Sequence, residues 1–248
     1  MASEGHLKKS ARQALATRGD ERLANGRGSP PRIWNMEVTR IIAVRHGETA
    51  WNVDARIQGQ LDIGLNDHGH WQARQVGQAL AAEPVTAVYA SDLQRAWHTA
   101  QRIAEATGAP LQPELGLRER GFGLFEGKTF EEIEQAWPEQ ASQWRRRVPE
   151  WVPPEGGESL LLVRERVAET VQRIAARHPG ELIVLVAHGG VLDAIYRLAT
   201  RQALDAPRTW KLPNAAINRL LWSPEGLAMI GWSDTGHLEV TARDEGSA

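Results

Sequence analysis

The chain has 248 residues, 42% of them apolar and 24% charged, with 29 basic residues against 31 acidic ones. That balance is ordinary for a soluble globular fold and excludes a wholly disordered chain, and a length like this one buries enough surface for a real core. The net charge of −2 offers no global field to nucleic acid, and the lack of any cysteine excludes disulfides, thiolate nucleophiles and Cys-ligated metal or iron–sulfur centres.

The first 35 residues differ from the rest. They carry seven Lys/Arg and three acids, a net of +4, which leaves −6 on the remaining 213. With so few large aliphatics this segment cannot repay its own ordering entropy, and it holds no apolar stretch of secretory-signal type. It is expected to be a flexible basic arm, residues 1–35, ahead of a single domain over 36–240 and a flexible tail over 241–248. The longest unbroken apolar run, Leu182 to Ala187, is six residues, far short of the roughly 18 needed to span a membrane. A cytoplasmic protein with no membrane or nucleic-acid partner is expected, as a monomer or homodimer.

From Val38 the pattern alternates strand and helix. Val38–Val44 reads as a buried strand. Asp67–Ala82 has helical spacing of Trp71, Val76 and Leu80. Val85–Ala90 is a short β-branched run, and Leu93–Thr107 is a helix that stops at Gly108 before Pro110. Glu126–Glu158 fits the alternation poorly and reads as a lid-like insertion over one end of the sheet, with Trp137, Trp144, Trp151 and four prolines. Ser159–His178 is the longest helix, with Leu162, Val163, Val167, Val171 and Ile174 on its apolar side, ended by Pro179-Gly180. Glu181–Val186 is continuously apolar, the mark of a central parallel strand. Val191–Ala199 is a further helix. Ile217–Trp222 and Leu227–Trp232 form a closing hairpin. The alternation predicts an α/β fold, a three-layer sandwich with a mostly parallel central sheet and helices on both faces.

Ligands of such sheets sit beyond the carboxyl ends of the strands. The first strand runs into Arg45-His46-Gly47-Glu48-Thr49. The second ends at Ser91-Asp92, with Arg95 just behind. The Leu182–Val186 strand ends in Ala187-His188-Gly189-Gly190. Three strands thus deliver two arginines and two histidines to one edge, and the glycine after each histidine lets backbone amides approach a ligand. That cluster reads as an anion pocket. Arginine offers a planar fork suited to phosphate oxygens, and neutral histidine is a nucleophile or proton carrier near neutral pH.

These residues resemble the histidine phosphatase superfamily, the phosphoglycerate-mutase-like fold. Arg45-His46-Gly47-Glu48-Thr49 is similar to its signature. Trp51-Asn52, Arg56 and Gln58-Gly59 follow at the family's spacing. Ser91-Asp92-Leu93-Gln94-Arg95-Ala96 resembles its second motif, and Leu117-Arg118-Glu119-Arg120 resembles the stretch that carries its acidic catalyst. Gly157-Glu158-Ser159 and Ala187-His188-Gly189 resemble the last two. The likeness runs from about Thr39 to Trp222.

The resemblance implies phosphoryl transfer on a small phosphorylated metabolite, with no cofactor and no metal. It implies that His46 attacks phosphorus, that Arg45, Arg95 and His188 clamp the oxygens, and that Glu119 protonates the leaving alcohol and then takes a proton from water. Asn52 and the Gly189 amide would add hydrogen bonds, and Gln58 and Gly59 would touch the organic part of the substrate. Glu126 and Glu158 lie near Glu119 in sequence and stand as alternative acids. A phosphatase is expected. A phosphoglycerate mutase is the alternative within the same chemistry, for which Trp144-Arg145-Arg146 resembles the carboxylate-binding pair. Against it stand the short Gly127–Glu158 segment and Gly190, where the mutases usually have Asn. A catalytically silent phosphate-binding module is the alternative of another class, and the presence of His46, Glu119 and His188 argues against it. The Arg145-Arg146-Arg147 run is expected to be a solvated face, and His68, His70, His98, His178 and His237 are expected to be structural.

Overall fold

A computed structural model describes residues 38–239. The expected basic arm and the short tail lie outside the described residues.

Six strands form one sheet in the order β3-β2-β4-β1-β5-β6. These are β1 (Thr39–Arg45), β2 (Val85–Ala90), β3 (Leu111–Pro113), β4 (Leu182–Ala187), β5 (Ile217–Ser223) and β6 (Gly226–Asp234). Strands β1, β2, β3 and β4 are parallel. The β5–β6 hairpin adds antiparallel to β1. The unbroken apolar run of β4 is central, between β2 and β1, and every one of its residues is buried. Burial on both faces is what removes the need for polar alternation.

The helices are α1 (Ala50–Val53), α2 (Asp67–Leu80), α3 (Gln94–Thr107), α4 (Phe130–Ala136), α5 (Pro138–Arg145), α6 (Leu160–Ala175) and α7 (Gly189–Thr200). Successive strand residues point to opposite faces, and the core divides accordingly. Ile41, Ala43, Ile183 and Leu185 pack with Val163, Val167 and Val171 of α6 and with Val191 and Ile195 of α7. Ile42, Val44, Val184 and Val186 pack with Val76 and Leu80 of α2 and with Ala96 and Ile103 of α3. This is the three-layer sandwich that the alternation predicted.

Local signals set the helix ends. Ser159 caps α6 by accepting from the Leu162 amide at 3.1 Å, and Gly108 ends α3 in the left-handed region at φ 72°. Leu162, expected on the buried stripe of α6, is 50% exposed. It lies about 100° around the helix from Val163, on the side of Arg166, Glu169 and Arg173.

Residues 126–158 hold two short helices, α4 and α5, that the alternation did not predict. They enclose a small separate core of Phe125, Ile133 and Ala141, against which Trp137, Trp144 and Trp151 pack. Phe125 stacks with Trp144 and Trp151 at centroid separations of 5.9 and 6.1 Å. The three-residue edge strand β3 is too short to leave a periodic signal.

Candidate active site

Strand β1 delivers Arg45 and His46 at its carboxyl end, and the His46 amide is tied to the Ala187 carbonyl of β4 at 3.0 Å. β4 itself runs into His188. The two imidazoles therefore face each other, with ring centroids 5.1 Å apart. Both are buried, His46 to 2% exposure and His188 to 0%.

The turn after His46 depends on glycine. A Cβ on Gly47 would lie 2.5 Å from the Gly69 carbonyl oxygen at the start of α2. The Gly47 amide donates to Thr99 Oγ1 at 3.0 Å, which joins the turn to α3. Asn214 Nδ2 donates to the His46 carbonyl at 3.0 Å and holds the turn from the other side.

His46 Nδ1 lies 2.7 Å from the Gly47 carbonyl oxygen. A carbonyl only accepts, so the neutral ring carries its proton on Nδ1 and keeps a lone pair on Nε2. Burial, then the charges of Arg45 and Arg95, push His46 well below the usual imidazole range. Burial, then Arg95, His46 and Arg45, do the same to His188. Both rings are therefore neutral near pH 7 in the free protein.

Arg95, in the first turn of α3, is fully buried. It donates from Nη1 to Leu61 O at 2.8 Å and from Nη2 to Gly59 O at 2.7 Å. Arg45 Nη1 donates to Leu212 O. Burial lowers Arg45 to about 10, opposed by the nearby Glu119 charge, so it stays cationic at neutral pH. Among the described residues neither arginine is spent on an ion pair. Asp92 is paired with Arg118, at 2.5 Å, and Glu48 accepts from Asn66 Nδ2 at 2.9 Å. Among the described residues, the buried Arg45 Nε, Arg95 Nε and both nitrogens of His188 have no hydrogen-bond partner. Unpartnered buried polar groups are costly, and a phosphoryl group is the kind of ligand that would satisfy several of the donors at once.

Glu119 follows a 3-10 turn, Leu115–Leu117. Its Oε1 accepts from the Arg120 amide at 2.8 Å and from the Gly190 amide, in the first turn of α7, at 3.0 Å. The alternative acids are occupied elsewhere. Glu158 makes two hydrogen bonds to Arg166, at 3.0 and 2.8 Å. Glu126 Oε1 accepts from the Gln60 and Phe122 amides at 3.0 and 2.9 Å.

A cavity of about 570 Å³ opens beside Glu119, Gly189 and Gly190. Its walls include Phe122, Phe130, Trp144 and four arginines, Arg120, Arg145, Arg147 and Arg208. Arg146 points elsewhere, toward Pro138, Glu139 and Ser142, so the Arg145-Arg146 pair does not converge on this cavity. Arg147 corrects the solvated-face reading of the run. With φ 53° the backbone turns it inward, where Nη2 pairs with Asp193 of α7 at 2.8 Å.

The expected substrate contacts are placed less directly. Asn52 Oδ1 accepts from the Thr49 amide at 3.0 Å and from Asn214 Nδ2 at 3.2 Å, which spends that oxygen on the turn. The Gly59 carbonyl holds Arg95, and Gln58 is buried with Oε1 unpartnered. Neither Gln58 nor Gly59 lines the cavity. His178 bridges Glu181 and Tyr89 at 2.6 and 2.8 Å, and His237 contacts the Ala215 carbonyl at 3.0 Å, both structural as expected. Among the described residues no group of three or more His, Asp or Glu side chains is arranged to hold a metal ion, and no helix is long and apolar enough to cross a membrane.

The sequence reading missed Arg120, Asp193, Arg208 and Asn214. Arg120 lies within the Leu117-Arg118-Glu119-Arg120 stretch, which by itself gives it no role. The other three carry no local signal, since they reach the site only through the packing of α7 and the loop before β5.

Buried histidines and arginines gathered at the strand ends, with unpartnered polar atoms among the described residues, form a cluster suited to an anionic phosphoryl group. Residues 41–235 match the model of the histidine phosphatase superfamily (branch 1), and the chain belongs to that superfamily. It is 40% identical over 205 residues to the metal-independent phosphoserine phosphatase of Arabidopsis thaliana, covering 82% of this chain and 84% of that one. It is 37% identical over 210 residues to phosphoglycerate mutase-like protein 4 of the same plant, covering 84% and 90%. Among solved structures, the mycobacterial glucosyl-3-phosphoglycerate phosphatase superposes with a TM-score of 0.72 at 30% identity, over 80% of this chain and all of that one. Bacillus stearothermophilus YhfR superposes with a TM-score of 0.75 at 31% identity, over 81% and 100%.

Proposed function

We propose that this chain is a metal-independent phosphatase for small phosphate monoesters, working through a phosphohistidine on His46. The observation that carries the reading is the His46 ring. It is neutral, with its proton fixed on Nδ1 by the Gly47 carbonyl, and it sits among donors of Arg45, Arg95 and His188 that have no partner among the described residues. Nε2 attacks phosphorus as the ester oxygen leaves. The guanidiniums and His188 take the charge of the equatorial oxygens, the part that a metal ion plays in other phosphatases. Glu119 gives its proton to the departing alkoxide. It then takes one from a water whose oxygen attacks the phosphohistidine, releasing phosphate and restoring His46. Asn52 Nδ2 and the Gly189 amide serve as accessory donors to the phosphoryl group in this reading. Gln58 and Gly59 support this end by fixing the loop that holds Arg95.

The leaving alcohol carries an anionic group. Arg145 and Arg147 are paired with Glu134 and Asp193, but among the described residues Arg120 and Arg208 have no ion-pair partner, and both line the cavity beside Glu119. The named substrates of two relatives, phosphoserine and glucosyl-3-phosphoglycerate, each hold a carboxylate near the phosphate. A cytoplasmic, monomeric or homodimeric enzyme acting on a small metabolite completes the reading.

A phosphate-release screen tests it. O-phosphoserine, 2- and 3-phosphoglycerate, sugar phosphates and para-nitrophenyl phosphate are compared in excess EDTA. Carboxylate-bearing esters should show the highest kcat/KM, and vanadate, which copies the five-coordinate phosphoryl group, should inhibit tightly. Activity lost on chelation and restored by a divalent cation would overturn the metal-independent mechanism. Interconversion of the two phosphoglycerates faster than their hydrolysis would select the mutase reading, which the mutase-like relative keeps in view.

A further inference from the structure

We infer that Gly190 is a positioning residue for Glu119. The missing side chain at 190 lets the acid–base carboxylate dock on the first turn of α7. The inference deepens the phosphatase reading and rests on its assignment of Glu119.

The geometry is specific to this position. A Cβ on Gly190 would lie 2.4 Å from Glu119 Oε1 and 3.4 Å from both Glu119 Cδ and Arg120 Cβ. All three crowding atoms belong to the Glu119–Arg120 segment. The crowding atom is the carboxylate oxygen itself, so a side chain at 190 moves Glu119 on the amide that holds it, at 3.0 and 3.1 Å. Gly189, one residue earlier, is different. A Cβ there would lie 3.7 Å from Glu119 Oε2 and 3.8 Å from Arg45 Nε, which is ordinary contact.

Two things follow from the docking. Oε1 accepts from both the Arg120 and Gly190 amides, while Oε2 accepts only from the Gly190 amide among the described residues, which leaves it the freer oxygen for proton transfer. The start of α7 also fixes two parts of the site to one rigid body. His188 is its N-cap and Gly190 its second residue, and the wholly buried β4 leads straight into both. The distance from the phosphate-binding imidazole to the proton-transferring carboxylate is thus set by three consecutive residues. A side chain at 190 would shift the carboxylate by about 1 Å, and a misplacement of that size can cost on the order of 100-fold in rate.

The test reads kcat/KM with O-phosphoserine, whose alkoxide needs protonation, and with para-nitrophenyl phosphate, whose leaving group needs little. Parent, Glu119→Gln, Gly190→Ala and the double variant are compared. Gly190→Ala should lose roughly 10- to 100-fold on the alkyl ester and less than about 3-fold on the aryl ester. In the Glu119→Gln background it should cost almost nothing further, since residues that act as a unit are not additive. Equal losses on both esters, or full additivity with Glu119→Gln, would overturn the inference and leave Gly190 a merely structural glycine. Glu119→Gln without any leaving-group dependence would overturn the assignment of Glu119 and this inference with it. If Gly190→Ala does not fold, Glu119→Ala/Gly190→Ala removes the colliding carboxylate and should recover the stability of Glu119→Ala alone. Failure of that rescue would also overturn the inference.

Discussion

The two ends of the site are built differently. The phosphate end is an extension of the main core. Arg45, His46 and His188 continue strands whose residues are almost all buried, and Arg95 is locked by two carbonyls of the loop before α2. The leaving-group end is walled by Phe122, Phe130, Trp144, Arg145 and Arg147, seated on a separate small core around Phe125. The first end holds chemistry common to every phosphate ester. The second can change its side chains without touching the sheet, so substrate choice and catalysis rest on different packing units. Glu119 and the first turn of α7 join them.

Substitutions at the phosphate end should therefore fall on all substrates alike. The largest effect is expected for His46→Ala, which should cut turnover by several orders of magnitude with the alkyl and the aryl ester equally. A variant that turned over either ester near the parent rate would break the distinction. Arg95→Ala should follow, by about 10²–10³-fold on both esters, the range for removing one charge-stabilising donor.

At the other end the effects should depend on substrate. Trp144→Ala opens the cavity wall and loosens the Phe125 stack. It should raise KM for carboxylate-bearing esters by about tenfold, a change of about 1.4 kcal/mol, and leave kcat for para-nitrophenyl phosphate nearly unchanged. An equal fall in kcat for both would show that the insertion supports the chemistry itself.

The smallest effect concerns pH. His46 and His188 are held neutral by burial, so their folded values lie below the ordinary imidazole value of about 6.5. Between those values the unfolded chain binds more protons than the folded one. Stability is then fully present above about pH 6.5 and declines as the pH falls below it. Denaturant midpoints from pH 7.5 to 5 should show this slope, and His188→Gln should flatten it. A parent midpoint that rose on acidification would contradict the neutral assignment.

What the sequence disclosed follows the same division. The phosphate end was legible because each residue there stands where a recognisable strand stops. The run Leu182–Ala187 could hardly be anything but a central strand, so His188 was placed by its neighbours. At the leaving-group end the helices α4 and α5 are short and pack on aromatics instead of a regular apolar stripe, and periodicity could not find them. Arg147 reaches Asp193 from a left-handed backbone position, φ 53°, that the sequence does not signal. Asp193 carries no signal in the sequence, and only the fold brings Arg147 and Arg197 to it, at 2.8 and 3.0 Å. Asn214 holds the His46 turn across 168 residues of sequence, a relation that no local pattern encodes.

The central claim is a short-lived phosphohistidine on His46 that passes its phosphoryl group to water. Its most direct test is the lifetime of the phosphoenzyme, measured by rapid quench with a labelled monoester, with and without 3-phosphoglycerate. The account predicts an adduct labile to acid and stable to alkali, absent from His46→Ala, discharged within the turnover time in water and unaffected by 3-phosphoglycerate. An adduct that persists for many minutes in water and collapses when 3-phosphoglycerate is added, or one that still forms without His46, would contradict it.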